Sequence, residues 1–492
     1  MNDTIERKVQ IGRRRPPLEL ADLPTPEEVF KVRHIGLEEL ILLVLGPGLI
    51  ALGISIGSGA WLSGPLNLSL YGFKGLFWVV LASTVLQVFY NVELARFTIA
   101  TGEPPILAFG RAPGYLLWIT LALICLYAAY ILGGWTVNAG SSLFALVVGH
   151  PNTAKELETV RWVGIGLMLT VFIITLIGRK IERTMEAVQG VFLAFILIGL
   201  VLVTFVVVPL EFWGEALVSL FRPSRPPAEA GISVLGALAG FSALASGLNF
   251  MFVGYYRDKG YGMGHKIGYL AGWFSKQQKD IPPQGETFIQ SDRNTVTWKR
   301  WFRYLLLDQW GVYFVGAVIG MVVPCILVSY LASISGDAAP EQSSILTYAS
   351  AQLGQRYGPL LAGWALLVGF MILYSTQIGI LELLARNMTD AVYGVSHRIR
   401  RWASNDPRKF YFPFMLFLIL VIGVLIHLKI PGGWIVFSAN LGNLAAMIFP
   451  LLTIYLNRRL PRPARITWWS YLVLLANVIF FGFFFVNFII SL

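Results

Sequence analysis

Charge is what this chain has least of. Among 492 residues, 13% are Asp, Glu, Lys or Arg, about half the share usual in soluble domains. Hydrophobic residues make up 56% and the mean hydropathy is +0.67, which excludes a soluble globular domain and places the chain in a bilayer. Cysteine is nearly absent. Cys125 and Cys325 both fall inside apolar runs, so a disulfide framework and a thiolate metal site are excluded. The five histidines show no ligand spacing. No nucleophile–base set is present, so an enzyme and a bound cofactor are not expected. The net charge of +11 is spread over loops between apolar runs, where cations orient a membrane protein rather than bind nucleic acid. The first apolar stretch begins only near Leu40, behind Arg13, Arg14, Arg15, Lys31 and Arg33. The first span itself is therefore expected to direct insertion, with no cleavable leader.

Long hydrophobic runs are what the chain has in abundance. At about 20 residues per crossing, about eleven spans fit, near 40–64, 74–100, 115–148, 160–178, 186–209, 231–256, 304–332, 357–385, 411–428, 432–456 and 467–490. Loops after even-numbered spans are rich in Lys and Arg, above all the connector 257–303 and the segment Arg458–Arg465. The other loops hold only Lys74, Lys155, Arg161, Arg222, Arg225, Arg356 and Lys429. This bias predicts a multi-pass cell-membrane (inner-membrane) protein with a cytoplasmic N-terminus and an external C-terminus. The expected organisation is a basic tail, 1–38, and a transporter domain, 39–492. That domain divides into a first repeat near 40–209, a second near 231–456 with the connector 257–303 inside it, and an extra helix near 467–490.

Two spans carry their own interruption. The first contains Ser55, Gly57, Ser58, Gly59, Ala60 and Trp61, with glycines where a helix interior pays about 1 kcal/mol for each. The sixth holds Ser242, Ser246, Gly247 and Asn249 around its middle. Unpaired backbone groups are expensive in hydrocarbon, so such breaks must lie within protein or line a cavity. Interrupted first helices in two halves point to inverted five-span repeats with substrate held between the breaks. The exposed N–H groups and hydroxyls there suit a small solute, or a partly hydrated metal ion held by neutral oxygens.

Other polar residues within spans have two readings each. Tyr127 and Tyr130 in the third span, and Ser375 and Thr376 (followed by Gln377) in the eighth, can touch a substrate or cation, or bond neighbouring helices. Asn440 and Asn443 should face the bundle as packing or gating groups. Glu93 with Arg96, and Glu382 with Arg386, are spaced to pair on one helix face. Asp308 reads as interfacial. No acid stands convincingly at mid-depth, so a coupling proton or cation has no assigned residue. Trp61 and Trp135 are candidates to cap the site, while Trp78, Trp118, Trp434, Trp468 and Trp469 suit interfacial belts. The string Gly260–Lys266 lacks the Ser or Thr and the preceding strand of a phosphate loop.

The order Gly46-Pro47-Gly48, the break, Tyr71-Gly72-Phe73, Leu76–Val80, Ala95-Arg96 and Ile99–Gly102 resembles the Nramp family of proton-coupled divalent-metal transporters, within the amino acid–polyamine–organocation superfamily. Weaker correspondences run through Arg179–Pro209, the sixth span and Phe449–Leu452. The resemblance covers most of the chain after about residue 38. It implies an all-α, leucine-transporter-like fold of about eleven helices, five-plus-five inverted repeats with broken first and sixth helices, and alternating access. The family's metal ligands do not carry over. Its Asp-Pro-Gly-Asn stands where this chain has Gly57-Ser58-Gly59-Ala60, and its Met-Pro-His-Asn where an ungapped reading gives Leu244-Ala245-Ser246-Gly247. A shift of two or three residues would bring Asn249 to the asparagine place. Ile56–Trp61 also resembles the glycine-serine-glycine break of amino-acid permeases, whose exposed N–H groups accept a substrate carboxylate.

A secondary active transporter is thus expected. The resemblance gives a divalent metal ion as cargo, whereas the site letters fit a small organic solute such as an amino acid or organic acid. A channel or a non-transporting receptor is the alternative from another class.

Overall fold

The computed structural model describes residues 17–30, 46–57, 61, 63–132, 134–242, 244, 247–276, 281–336, 345–428 and 434–491, with the side chains of 434–436 excepted. Among the described residues, nine helical stretches are long and apolar enough to cross a membrane. They correspond to nine of the expected eleven spans. The remaining two, the first and the sixth, are the interrupted ones.

In the first span, Pro47–Ser55 is helical and Ile56 leaves the helical region at φ −77°, ψ 72°. The Gly57 N–H donates only to Ser55 O, 2.9 Å away, and an α-helix resumes at Gly64–Tyr71. In the sixth span, Ile232–Phe241 ends at an extended Ser242. The chain re-enters a helix at Leu248–Phe252 through Gly247, whose φ is +87°. A Cβ at Gly247 would also lie 2.9 Å from the Phe250 ring, so only glycine fits this turn.

The first half-helix is enclosed by the fifth span, Ile181–Val207, the eighth, Pro359–Val395, and the start of the seventh. Its continuation Gly64–Tyr71 packs on the seventh-span helix Val315–Ser335. The half-helix Ile232–Phe241 lies against the tenth and eleventh spans, Trp434–Asn457 and Trp468–Ser491. There Asn443 Nδ2 donates to Gly236 O at 2.9 Å and Asn440 Nδ2 to Ser233 O at 3.2 Å. These two asparagines are buried and fasten the tenth helix to the sixth.

Several elements differ from their sequence expectation. The third span is two helices, Leu116–Tyr130 and Gly134–Val148. The seventh begins much earlier, at Asp292, where Ser291 Oγ accepts the Asn294 N–H at 3.1 Å and caps the helix. Its charged residues had suggested a connector. They occupy one face, while Asn294, Thr297, Trp298, Trp301 and Leu305 are buried on the other at helical spacing. This helix continues through a π segment, Leu307–Phe314, into Val315–Ser335. The eighth span extends to Val395. Two unanticipated surface helices, Leu210–Phe221 and Ile345–Tyr357, sit on the face opposite the tail.

The tail is strapped to the connector. Glu19–Ala21 pairs in parallel with Glu286–Phe288, Trp301 Nε1 donates to Pro24 O at 2.7 Å, and Arg300 meets Glu27 at 3.0 Å. We call this side the tail face. Ser491 lies beside Ser233, 3.3 Å between hydroxyls, on the far face.

Candidate substrate site

The two interruptions are joined by neutral polar side chains. At the first, Ser375 Oγ donates to Gly53 O at 3.0 Å, and Thr376 Oγ1 lies 3.3 and 3.4 Å from Ile54 O and Ile56 O. These carbonyls end the tail-side half-helix and would otherwise lack partners. Ser55 Oγ turns back on Leu52 O at 3.0 Å. Gly57 lies directly under Thr376, where a Cβ would come within 2.5 Å of Oγ1.

At the second interruption the second-span helix Phe77–Thr101 supplies the polar groups. Ser83 Oγ donates to Ala239 O at 2.7 Å. Gln87 Nε2 bonds to Ser242 O and to Ser83 Oγ. Asn249 Nδ2 donates to Asn91 Oδ1 at 2.8 Å and approaches Gln87 Oε1 at 3.4 Å. Tyr313, from the π segment, sets its buried hydroxyl beside Ser55, Asn91 and the backbone of Leu244. One side chain thus faces both breaks. Among the described residues, no partner meets its hydroxyl at full hydrogen-bond distance and angle, and none so meets Asn91 Nδ2 or Asn249 Oδ1.

Of the residues expected at the site, Ser55, Gly57, Ser375 and Thr376 gather at the first break, and Ser242, Gly247 and Asn249 at the second. Ser58, Gly59, Ala60 and Ser246 lie outside the described residues. Trp61 is buried against the eighth span, where a Cβ on Gly369 would approach its Nε1 to 2.9 Å. Tyr127 stands apart, its hydroxyl donating to Leu384 O at 2.9 Å. Tyr130 packs at a tilt against Trp135, with ring centroids 5.4 Å apart, and Trp135 meets the Phe241 ring edge-on at 6.5 Å.

Sequence reading missed Gln87, Asn91 and Tyr313. A signal was available: Ser83, Gln87 and Asn91 recur every four residues on one face of an apolar span, and polar groups within a span normally face the bundle interior.

The tail-side end of the site is charged. Asp308, expected at an interface, is fully buried, because the π segment turns it inward to the first half-helix. Its Oδ2 accepts the Gly48 N–H at 2.9 Å and the Tyr256 hydroxyl, as an anion should at a helix N-terminus. Lys259 and Glu186 pair nearby at 2.6 Å. Deeper in the same face, Asp258 bridges Arg257 (2.8 Å) and Arg386, and Arg386 pairs with Glu382 at 2.8 Å. Tyr255 and Tyr411 donate to Glu382. Glu93 and Arg96 form a separate buried pair, tied to Asn457. Among the described residues, no group of three or more His, Cys, Asp or Glu is placed to hold a metal ion.

The comparisons with known proteins bear on the fold. No family model matches the chain, and no curated protein does. Solved structures match along most of its length. MhsT in complex with L-phenylalanine aligns with a TM-score of 0.58 at 14% identity, over 91% of this chain and 98% of that one. A manganese transporter of Eremococcus coleocola, bound to an aromatic bis-isothiourea compound, gives 0.54 at 14% identity, over 95% and 89%. Mhp1, a nucleobase-cation-symport-1 family transporter with bromovinylhydantoin bound, gives 0.51 at 14%, over 86% and 80%. The fold of this chain is therefore the all-α, leucine-transporter-like one, with five-plus-five inverted repeats and interrupted first and sixth helices.

Proposed function

We propose that the chain is a secondary active transporter that moves a small organic solute between its two interrupted helices by alternating access. The tail face is cytoplasmic on this reading, since it carries the arginine- and lysine-rich loops. The observation that carries the cargo class is the neutrality of the mid-depth site. Amides, hydroxyls and backbone groups meet there, and among the described residues no group of three or more His, Cys, Asp or Glu is placed to hold a dication. MhsT is solved with L-phenylalanine and Mhp1 with bromovinylhydantoin, so this fold accommodates organic solutes.

The second reading is a divalent metal ion. It rests on the Nramp resemblance and on the likeness to a manganese transporter, and it requires coordination by neutral oxygens alone, a poor set for a transition metal.

Uptake into proteoliposomes separates the two. A panel of radiolabelled amino acids, organic acids and amides, run beside Mn²⁺ with and without chelator, should give gradient-driven accumulation of an organic member. Gly57→Leu should abolish it while the protein still inserts, because any side chain there meets Thr376. Chelator-sensitive accumulation of Mn²⁺ alone would replace the organic reading. Downhill flux that never concentrates the solute would indicate a channel.

A further inference from the structure

The chain of amides at the second interruption has a fixed direction. Ser242 O is a backbone acceptor and cannot exchange roles, so the Gln87 atom bonded to it is the nitrogen, Nε2. Gln87 Oε1 is then the acceptor facing Asn249, which makes the facing Asn249 atom its nitrogen. That nitrogen also donates to Asn91 at 2.8 Å, so the Asn91 atom there is the oxygen. Two atoms are left at the end of this relay, Asn249 Oδ1 and Asn91 Nδ2, and both are buried without a partner. One is an acceptor and the other a donor, on side chains already joined by a single hydrogen bond. They are thus a complementary acceptor and donor on neighbouring side chains. A buried polar atom without a partner costs free energy, and two complementary ones beside the unwound helix are best explained by a ligand that completes them.

We infer that the solute carries an uncharged amide face, an N–H and a C=O side by side as in a carboxamide, lactam or cyclic ureide, whose N–H donates to Asn249 Oδ1 while its carbonyl accepts from Asn91 Nδ2. The inference rests on the transport reading above and narrows its substrate class. The edge has no charged group of its own. Glu93 is held by Arg96 and Asn457, and Asp308 by Gly48 and Tyr256, so a neutral amide fits better than a zwitterion. The Tyr313 hydroxyl, beside Asn91 and Ser55, supplies a further donor or acceptor to the same ligand.

The test is thermal unfolding of the full chain in lipid nanodiscs with matched probes. 2-Pyrrolidinone and 2-imidazolidinone present the amide face. N-methyl-2-pyrrolidinone and 1,3-dimethyl-2-imidazolidinone lack the N–H, and γ-butyrolactone replaces it with oxygen. Bound ligand raises the unfolding midpoint with concentration. The N–H forms should do so at concentrations at least about tenfold lower than their blocked counterparts, since a site built to hydrogen-bond a group rejects the analogue lacking it. Asn91→Asp keeps the acceptor that Asn249 needs but removes the donor, and should erase the preference. Because the probe series runs on the unaltered protein, it decides the matter even if that variant does not fold. Equal responses from the three pyrrolidinone-type probes, or none, would overturn the amide face. Response and uptake with alanine instead would overturn it while leaving the transport reading intact. Loss of the transport reading would show separately, as no accumulation of any solute in proteoliposomes.

Discussion

The middle of this bundle and its tail-side end solve opposite problems. At mid-depth the polar groups are neutral, and several of their atoms, Asn91 Nδ2, Asn249 Oδ1 and Tyr313 Oη included, have no full hydrogen bond among the described residues. At the tail-side end the groups are charged and mostly paired, as in the Asp258–Arg257–Arg386–Glu382 network and the Asp308–Gly48 contact. Charge is suited to holding one alternative of a moving structure, because a buried ion pair is costly to break once formed. Open neutral hydrogen-bonding groups are suited to a ligand that must both enter and leave. The difference assigns latching to one end and binding to the other, and each variant below bears on that division.

The largest effect is expected from Asp258→Ala. Its carboxylate meets Arg257 and Arg386 with all three side chains buried, so its removal takes from each guanidinium one of its two carboxylates, leaving Arg257 with Asp390 and Arg386 with Glu382. Breaking such a pair typically costs about 3–5 kcal/mol. Thermal unfolding in nanodiscs should show a folded fraction sharply reduced at growth temperature. A variant that melts like the wild type would mean that the tail-side network holds nothing together.

Gly48→Ala should act on conformation more than on folding. A Cβ there would lie 2.7 Å from Asp308 Oδ1 and 2.8 Å from its backbone carbonyl, closer than real contacts allow. Over-packing of this kind costs about 1–3 kcal/mol, and the half-helix Pro47–Ser55 can relieve it by moving off Asp308. A cysteine introduced at Ser55, labelled with a membrane-impermeant thiol reagent from the tail face, should then react about tenfold faster. An unchanged rate would show that Asp308 does not latch the helix.

Much of this division was legible before coordinates, and the exceptions have physical causes. Both breaks were readable because glycine and serine in mid-span contradict the cost of unpaired backbone in lipid. The eleven-span count survived because hydropathy reports length directly. The relay Ser83–Gln87–Asn91 lies on an unbroken helix, Phe77–Thr101, so its only local signal is a polar face repeating every four residues. Asp308 reads as interfacial from its place at the expected start of the seventh span. Nothing local announces a π segment, whose extra residue per turn rotates Asp308, Gln309 and Tyr313 into the bundle. Ser375 and Thr376 were recognised as polar groups beside the break, but which carbonyls they meet depends on helix packing that no single segment encodes.

Thr376→Val tests the middle more gently. The substitution keeps the shape and removes the hydroxyl that lies near Ile54 O and Ile56 O. A lost hydrogen bond of this type is worth about 1 kcal/mol, so folding should be nearly intact. Solute affinity should fall about five- to tenfold, because Gly57 and Ile56 lose the contact that fixes the end of the half-helix. A change in unfolding midpoint with no change in affinity would make Thr376 a structural cap only.

Arg300→Ala gives the smallest effect and sharpens the comparison most directly. Its partner Glu27 lies 3.0 Å away, as Asp258 lies 2.8 Å from Arg257, but both Arg300 and Glu27 are open to water. Exposed pairs contribute about 0–1 kcal/mol and are screened by salt. The variant should therefore unfold within a degree or two of the wild type at low ionic strength and indistinguishably at high. If Arg300→Ala instead cost as much as Asp258→Ala, burial would not be what separates latch from surface. The tail strap Glu19–Phe30 would then have to be counted with the buried network as part of the tail-side latch.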